Sequence, residues 1–433
     1  MKKFLLNVLS SAAGVFLATS IIVILFIVMI VSASMSMGGQ PSANVEPHSV
    51  LRIDLKGILS ERSQSTPLAA LGMSGTPAAS LEDILRAIDV AKSNNNIDGI
   101  YINASAVSAS PASLQEMRRA IDGFRKSGKF VVSYGGTYTQ GAYYVCSAAS
   151  KVMLNPIGEL EWRGLGGEMM FYKDLLKKIG VEMQVVKVGT YKSAVEPYTA
   201  TEMSSANREQ VTQYITSIWG NMKKEVSASR KIPVEKLNAL ADMYMAMKSP
   251  KEVLASKLID KLAYEDEALA EVAKLSGKKD IDDLKFVQPA SIAPIAESKT
   301  DGGEIAVYYA CGNIVSGETE GGLFDQAIVA DKIMPDLDDL AKDEDVKAVV
   351  LRINSGGGSA YASEQIWHSI KKLAAKKPVV VSMGDMAASG AYYMSSAAQY
   401  IVAEPTTLTG SIGIFGMIPD VSGLMKDKLG IKF

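Results

Sequence analysis

Ser389 is the residue around which chemistry can be built. It lies in Ser382–Gly416 (SMGDMAASGAYYMSSAAQYIVAEPTTLTGSIGIFG), directly after the apolar run 378–381, and the pattern predicts a buried strand, a tight turn and a short helix with the serine at the turn. Its neighbours Ala388 and Gly390 are small, so a substrate backbone can approach it, and a helix starting after it aims unpaired N–H groups at developing negative charge. These are the needs of a nucleophile in acyl transfer, although a plain helix N-cap reads the same way in isolation. Upstream, Val346–Ser359 (VKAVVLRINSGGGS) runs from a β-branched strand into Gly356, Gly357 and Gly358. Such a loop is either a flexible turn or a set of unobstructed N–H donors of the kind that build an oxyanion hole. Downstream, Leu408–Ser411 is a second glycine-punctuated segment able to return a hydroxyl to the same pocket.

A serine hydroxyl needs a base. The chain has two histidines, His48 and His368, and neither stands in a motif, which argues against a histidine triad. A lysine can serve if burial lowers its pKa. Lys192 is the candidate, in GTYKSAVEP (189–197) after a predicted strand at 184–188, although a lysine among 45 basic residues is ordinarily a solvated surface charge.

Taken together, NSGGGS at a strand end, GDMAASGAYY, EPTTLTGSIGIFG and YKSAVEP resemble the signal peptide peptidase (protease IV) family of the Clp/crotonase-like superfold. The resemblance implies Ser389 as nucleophile, Lys192 as general base and later general acid, and Ser411 as a hydroxyl holding the lysine ammonium. It also implies that Gly390, with Gly357 or Gly358, donates the oxyanion N–H groups. Gly356 stands where the family commonly has proline, so the loop is expected to be looser here. Neither cofactor nor metal is implied. The substrates would be apolar peptides, above all signal peptides remaining in the membrane after secretion, and the assembly a homotetrameric ring or dome. Two other readings are a crotonase-type acyl-CoA enzyme, which uses similar glycine-loop oxyanion holes, and a catalytically silent oligomeric membrane scaffold.

At 433 residues, 48% apolar and net charge −2, the composition is that of an ordinary globular protein of two or more domains, with no basic tract to suggest nucleic-acid binding. After Lys2 and Lys3 no charge appears until Glu46, and the apolar run 15–31 with its small flanks reaches the length of a membrane span. It exceeds a signal-peptide core, so an uncleaved single-pass anchor in the inner (cytoplasmic) membrane is expected. The two lysines would stay inside and the catalytic part would be periplasmic or extracytoplasmic. Cys146 and Cys311 permit one disulfide, but a buried free thiol suits Cys146 in its small-residue helix better.

The chain contains one unit written twice. Setting Gly141 on Gly390, an offset of 249, aligns SYGGTYTQGAYYVCSAASKVMLNP with SMGDMAASGAYYMSSAAQYIVAEP without a gap, and carries Ile97–Ile102 onto Val346–Leu351. Helical segments at 81–92 and 330–342 precede the two copies, the second open to a kink or restart at Pro335. Strand and helix alternate in each, which predicts an α/β class with mostly parallel sheets, two tandem crotonase/Clp-protease-like repeats behind one transmembrane helix. At Ser389 the first copy has Gln140, and it has no glycine where the second has SGGG, so it cannot use this serine chemistry. The expected organisation is a cytoplasmic N-terminus (1–11), an anchor (12–34), a linker (35–49), a first repeat supplying Lys192 (50–200), a helical connecting region (201–287), a linker (288–303) and a second repeat supplying Ser389 (304–433). The second repeat is read as truncated at its C-terminus, because Leu429–Phe433 pairs with the start of the strand-bearing stretch at 179–197.

Overall fold

The computed structural model describes residues 3, 11–12, 14–24, 45–63, 80–296, 302–317 and 327–432. Among these residues no helix is long and apolar enough to cross a membrane. Residues 14–24 are helical, and the remainder of the expected anchor, 12–34, lies almost wholly outside the described residues.

The first unit is a six-stranded parallel sheet. Its central strands are β1 (Ser49–Ile58), β2 (Ile97–Ser108), β3 (Phe130–Tyr138) and β4 (Lys151–Leu160). Between them run α1 (Leu81–Ser93), α2 (Pro111–Arg125) and α3 (Gln140–Cys146). A capping box from Ser80 and Asp83 starts α1, and Pro111 sits in the first turn of α2, where its missing N–H costs nothing. After β4 the chain makes β5 (Glu182–Lys187), then the long α4 (Ser205–Arg230), capped by Ser204.

The region 201–287, expected to be a helical connector, also closes both edges of this sheet. Its β6 (Lys261–Leu262) pairs with β4 and its β7 (Lys285–Val287) with β1. Strands of two and three residues carry no readable alternation. Likewise 288–303, expected to be a linker, begins with a helical turn, Pro289–Ile292, whose Pro289 and Ile292 are buried. Proline is pre-set for a first helical turn, so its presence did not mean irregular chain.

The second unit repeats the first at the same offset. β8 (Glu304–Cys311) is followed by a small parallel pair, β9 (Asn313–Val315) and β10 (Ala327–Val329), and by α5 (Ala330–Lys342), which contains Pro335. Then come β11 (Val346–Ser355), α6 (Ala360–Ala374), β12 (Val379–Ala388), α7 (Gly390–Ser395), β13 (Tyr400–Val402) and β14 (Leu408–Gly410). The sheet order is β13-β12-β11-β8, with β14 also on β12, all parallel. Helices cover the central strands, which is why Val349, Leu351 and Ile353 of β11 are buried, along with Val379 and Val381 of β12, and why these strands read as near-continuous apolar runs. β15 (Phe415–Asp420) ends the regular strands, and residues 430–432, expected to begin a strand, are irregular.

Contacts of several kinds join the units. β15 pairs antiparallel with β5, from Phe415↔Lys187 to Asp420↔Glu182. One face of α2 also reaches across to the second sheet. Ser113 donates through its N–H and its hydroxyl to Asp385, both at 2.8 Å, Glu116 receives Arg352, and Arg119 grips Glu404. Gln115 accepts from the buried Thr406. Arg352 also reaches Glu61, so a guanidinium that is almost wholly buried meets two carboxylates of the first unit.

Candidate active site

Ser389 caps α7 with φ 54° and ψ −118°, a left-handed setting that costs a residue with a Cβ about 1–3 kcal/mol. Its N–H donates to Gly410 O at 2.8 Å, tying the turn to β14, and its hydroxyl makes no capping bond. Gly357 makes the turn possible: a Cβ there would lie 2.7 Å from Gly390 N, 2.8 Å from Ala388 O and 2.9 Å from the Ser389 Cβ. In the first unit Thr139, at an ordinary φ of −60°, caps the matching helix. The Gln140 amide is spent on the backbone of Arg163 and Gly164. The first copy therefore has neither the strained turn nor a free hydroxyl.

Lys192 arrives from the other unit, on the loop after β5. It is 6% exposed, and its Nζ lies 3.2 Å from Ser389 Oγ, 3.0 Å from Ser411 Oγ and 2.8 Å from Ser411 O. Burial pushes the Lys192 ammonium below its ordinary pKa, and among the described residues it forms no ion pair. Nζ thus has three oxygens within donating distance, the number an ammonium can satisfy; once deprotonated it would donate to the two oxygens of Ser411 and turn its lone pair to the Ser389 hydroxyl. The β5–β15 ribbon fixes this meeting, with Val188 N donating to Ile414 O at 3.0 Å. Gly413, at φ 127°, allows it, since a Cβ would stand 2.4 Å from Val188 O.

The glycine loop separates its two candidate donors. Gly357 N–H is already engaged by Ser355 Oγ at 3.1 Å. Gly358 bridges Ile314 in parallel register, but the bonds are carried by its neighbours, Ile314 N to Gly357 O and Ser359 N to Ile314 O. Its own N–H therefore points away from that strand. Gly358, Gly390, Ser389 and Lys192 line one cavity of about 560 Å³, whose apolar wall comes from Tyr392, Tyr393, Ile412, Ile414 and Phe415. That wall was not singled out in the sequence. Its sequence signals are the alternation in TGSIGIFG and the tyrosine pair in GAYY.

The histidines stay apart. His48 pairs with Asp98 at 2.9 Å and His368 is exposed on α6. Both cysteines are free, and burial pushes the Cys146 thiol up to about 12. Among the described residues no cluster of His, Cys, Asp and Glu could hold a metal ion.

With this geometry in place, the chain can be compared with known proteins. The model of peptidase family S49 matches residues 123–279, which carry Lys192, and 371–433, which carry Ser389 and Ser411. Protease 4 of Salmonella typhi is 38% identical over 92% of this chain and 66% of its own length. Protease 4 of Haemophilus influenzae is 33% identical over 96% and 70%. The chloroplastic serine protease SPPA of Arabidopsis thaliana is 31% identical over 86% and 54%. The chain belongs to peptidase family S49, and its enzyme class is that of a serine protease. It spans about two thirds of the length of the bacterial relatives.

Proposed function

We propose that the chain is the core of a membrane-anchored endopeptidase with a Ser-Lys dyad, and that it degrades signal peptides left in the membrane after secretion. The observation that carries this reading is the 3.2 Å approach of the buried Lys192 amine to the uncapped hydroxyl of Ser389. In the forward step Lys192 takes the Ser389 proton as Oγ attacks the substrate carbonyl carbon. The carbonyl oxygen becomes an oxyanion, held by the N–H groups of Gly358 and Gly390. Lys192 then returns the proton to the leaving amine, the acyl group stays on Ser389, and water activated by Lys192 releases it. Ser411 steadies the ammonium while it exists, because both its oxygens accept from Nζ.

The apolar wall of the cavity and the apolar segment at 15–31 both favour apolar peptides presented near a bilayer. The reading includes a single span in the inner membrane with the catalytic part outside the cytoplasm, and a homotetramer enclosing the sites. The test is hydrolysis of an apolar fluorogenic peptide by the wild-type chain and by Ser389→Ala. Turnover is expected to vanish in the variant, and unchanged turnover would remove Ser389 from the chemistry.

A further inference from the structure

The loop that carries Lys192 is held from outside the cavity by residues that take no part in the steps above. Glu196, four residues on, is 6% exposed, yet it forms no ion pair among the described residues. Its carboxylate accepts from Ser204 Oγ at 2.5 Å, Ser204 N at 3.2 Å and Asn207 Nδ2 at 2.9 Å. Ser204 is the N-cap of α4, so the negative charge sits where a 26-residue helix leaves N–H groups unpaired. Burial alone would raise the Glu196 carboxyl, but the bonds from Ser204 and Asn207, with the charge of Lys187 on β5, hold it below the ordinary value.

Asn207 continues the connection. It is 2% exposed, and its amide oxygen accepts from Ser193 Oγ at 3.0 Å and from Gln210 Nε2 at 3.1 Å, while Gln210 Nε2 also donates to Ser193 Oγ. Ser193 is the residue next to Lys192. Both ends of the 192–196 segment are thus fastened to the first turns of α4, one through Glu196 and one through Ser193, with Asn207 common to both.

We propose that Glu196, acting with Asn207 and Ser193, is the positioning residue of the base. By fixing the 189–197 loop on α4 it sets the distance and direction of the Lys192 amine relative to Ser389. A lysine side chain has a flexible four-carbon stem, so its amine can be held at 3.2 Å only if the backbone beneath it does not move. A carboxylate suits the place because three donors converge on it and it offers only acceptors. This role rests on the reading of Lys192 as general base.

Three variants of the full chain test it: Glu196→Gln, Glu196→Asp and Ser193→Ala, each assayed for kcat and KM on the apolar peptide across pH and for melting temperature. Glu196→Gln presents one acceptor oxygen and an NH₂ group to three donors. Its kcat should fall about tenfold to a hundredfold with KM within about twofold of wild type, the scale expected of a displaced catalytic group. The acid limb of its pH–rate profile should move to higher pH, because a loosened loop admits water to the Lys192 ammonium. Glu196→Asp should recover part of the kcat, and Ser193→Ala, which buries no new charge, should move kcat and limb in the same directions by less. If Glu196→Gln does not fold, Ser193→Ala decides alone. Folded variants with wild-type kcat and limb overturn the proposal, as does a loss that leaves the limb in place and is not recovered by aspartate. Activity surviving in Lys192→Met would instead sink the dyad itself, whatever Glu196 does.

Discussion

Removal of the Ser411 hydroxyl isolates the demand that this site places on its lysine. In Ser411→Ala the carbonyl oxygen at 2.8 Å remains as an acceptor for Nζ, but the hydroxyl at 3.0 Å is lost. In the resting state that bond joins neutral groups and is worth about 0.5–1.5 kcal/mol, whereas in the transition state Lys192 carries the Ser389 proton and the bond is charge-assisted, about 1.5–3 kcal/mol. The difference falls on the barrier. That difference, about 1–1.5 kcal/mol, should therefore lower kcat/KM by roughly fivefold to fifteenfold, at about 1.4 kcal/mol per factor of ten. The pH dependence carries a second sign. The hydroxyl accepts from the ammonium and favours the charged form, so its loss should lower the Lys192 pKa further and move the acid limb to lower pH while the plateau falls. Steady-state hydrolysis of an apolar fluorogenic peptide across pH reads both quantities. A plateau within about twofold of wild type, or a limb displaced to higher pH, would refute the role given to Ser411.

Other substitutions follow from the same geometry. Because burial lowers the Lys192 pKa, the unfolded chain binds more protons than the folded one between that lowered value and the free-lysine value, so this residue costs stability that is regained as pH rises through that window. Lys192→Met should accordingly melt above wild type near pH 6, with the gap narrowing toward pH 10, and be inactive throughout. Gly357→Ala drives a Cβ to within 2.9 Å of the Ser389 Cβ from a backbone at φ 96°, and should cost about 2–4 kcal/mol by denaturant titration along with most of the activity. Arg352→Met strands Glu61 and Glu116 between the units and should cost about 3–5 kcal/mol. Burial already raises the Glu116 carboxyl, so the loss should be larger at pH 8 than at pH 5, where that carboxyl can protonate; unfolding at the two pH values measures it.

Much of this site is legible in the sequence because it depends on local pattern. The small residues around Ser389 fit the turn at φ 54°, and the offset of Gly141 on Gly390 places the starts of β2, β3 and β4 opposite those of β11, β12 and β13. The connection between the copies is not local. Which of Gly357 and Gly358 keeps its N–H depends on the Ser355 side chain and on Ile314 of β9, a neighbour brought by folding. Lys192 is marked out among 45 basic residues by its YKSAVEP motif, but the pairing of β5 with β15 that brings it to Ser389 joins segments far apart in the chain. Two further features of the connection are readable in the sequence. Arg352 is a charge directly after the apolar run 348–351 of β11, where a buried partner must be sought. Ser193 and Glu196 stand inside the same short motif as Lys192, and their hydrogen bonds fasten that motif to α4.

The central claim is that a lysine from the first unit activates a serine from the second. Peptide mapping by mass spectrometry after brief exposure to a fluorophosphonate tests it most directly, using wild-type chain and Lys192→Met over a range of pH. The account predicts a single adduct on Ser389, formed faster as pH rises through the lowered Lys192 pKa, and essentially none in Lys192→Met. An adduct on another residue, or labelling of Ser389 at the wild-type rate in Lys192→Met, would contradict it.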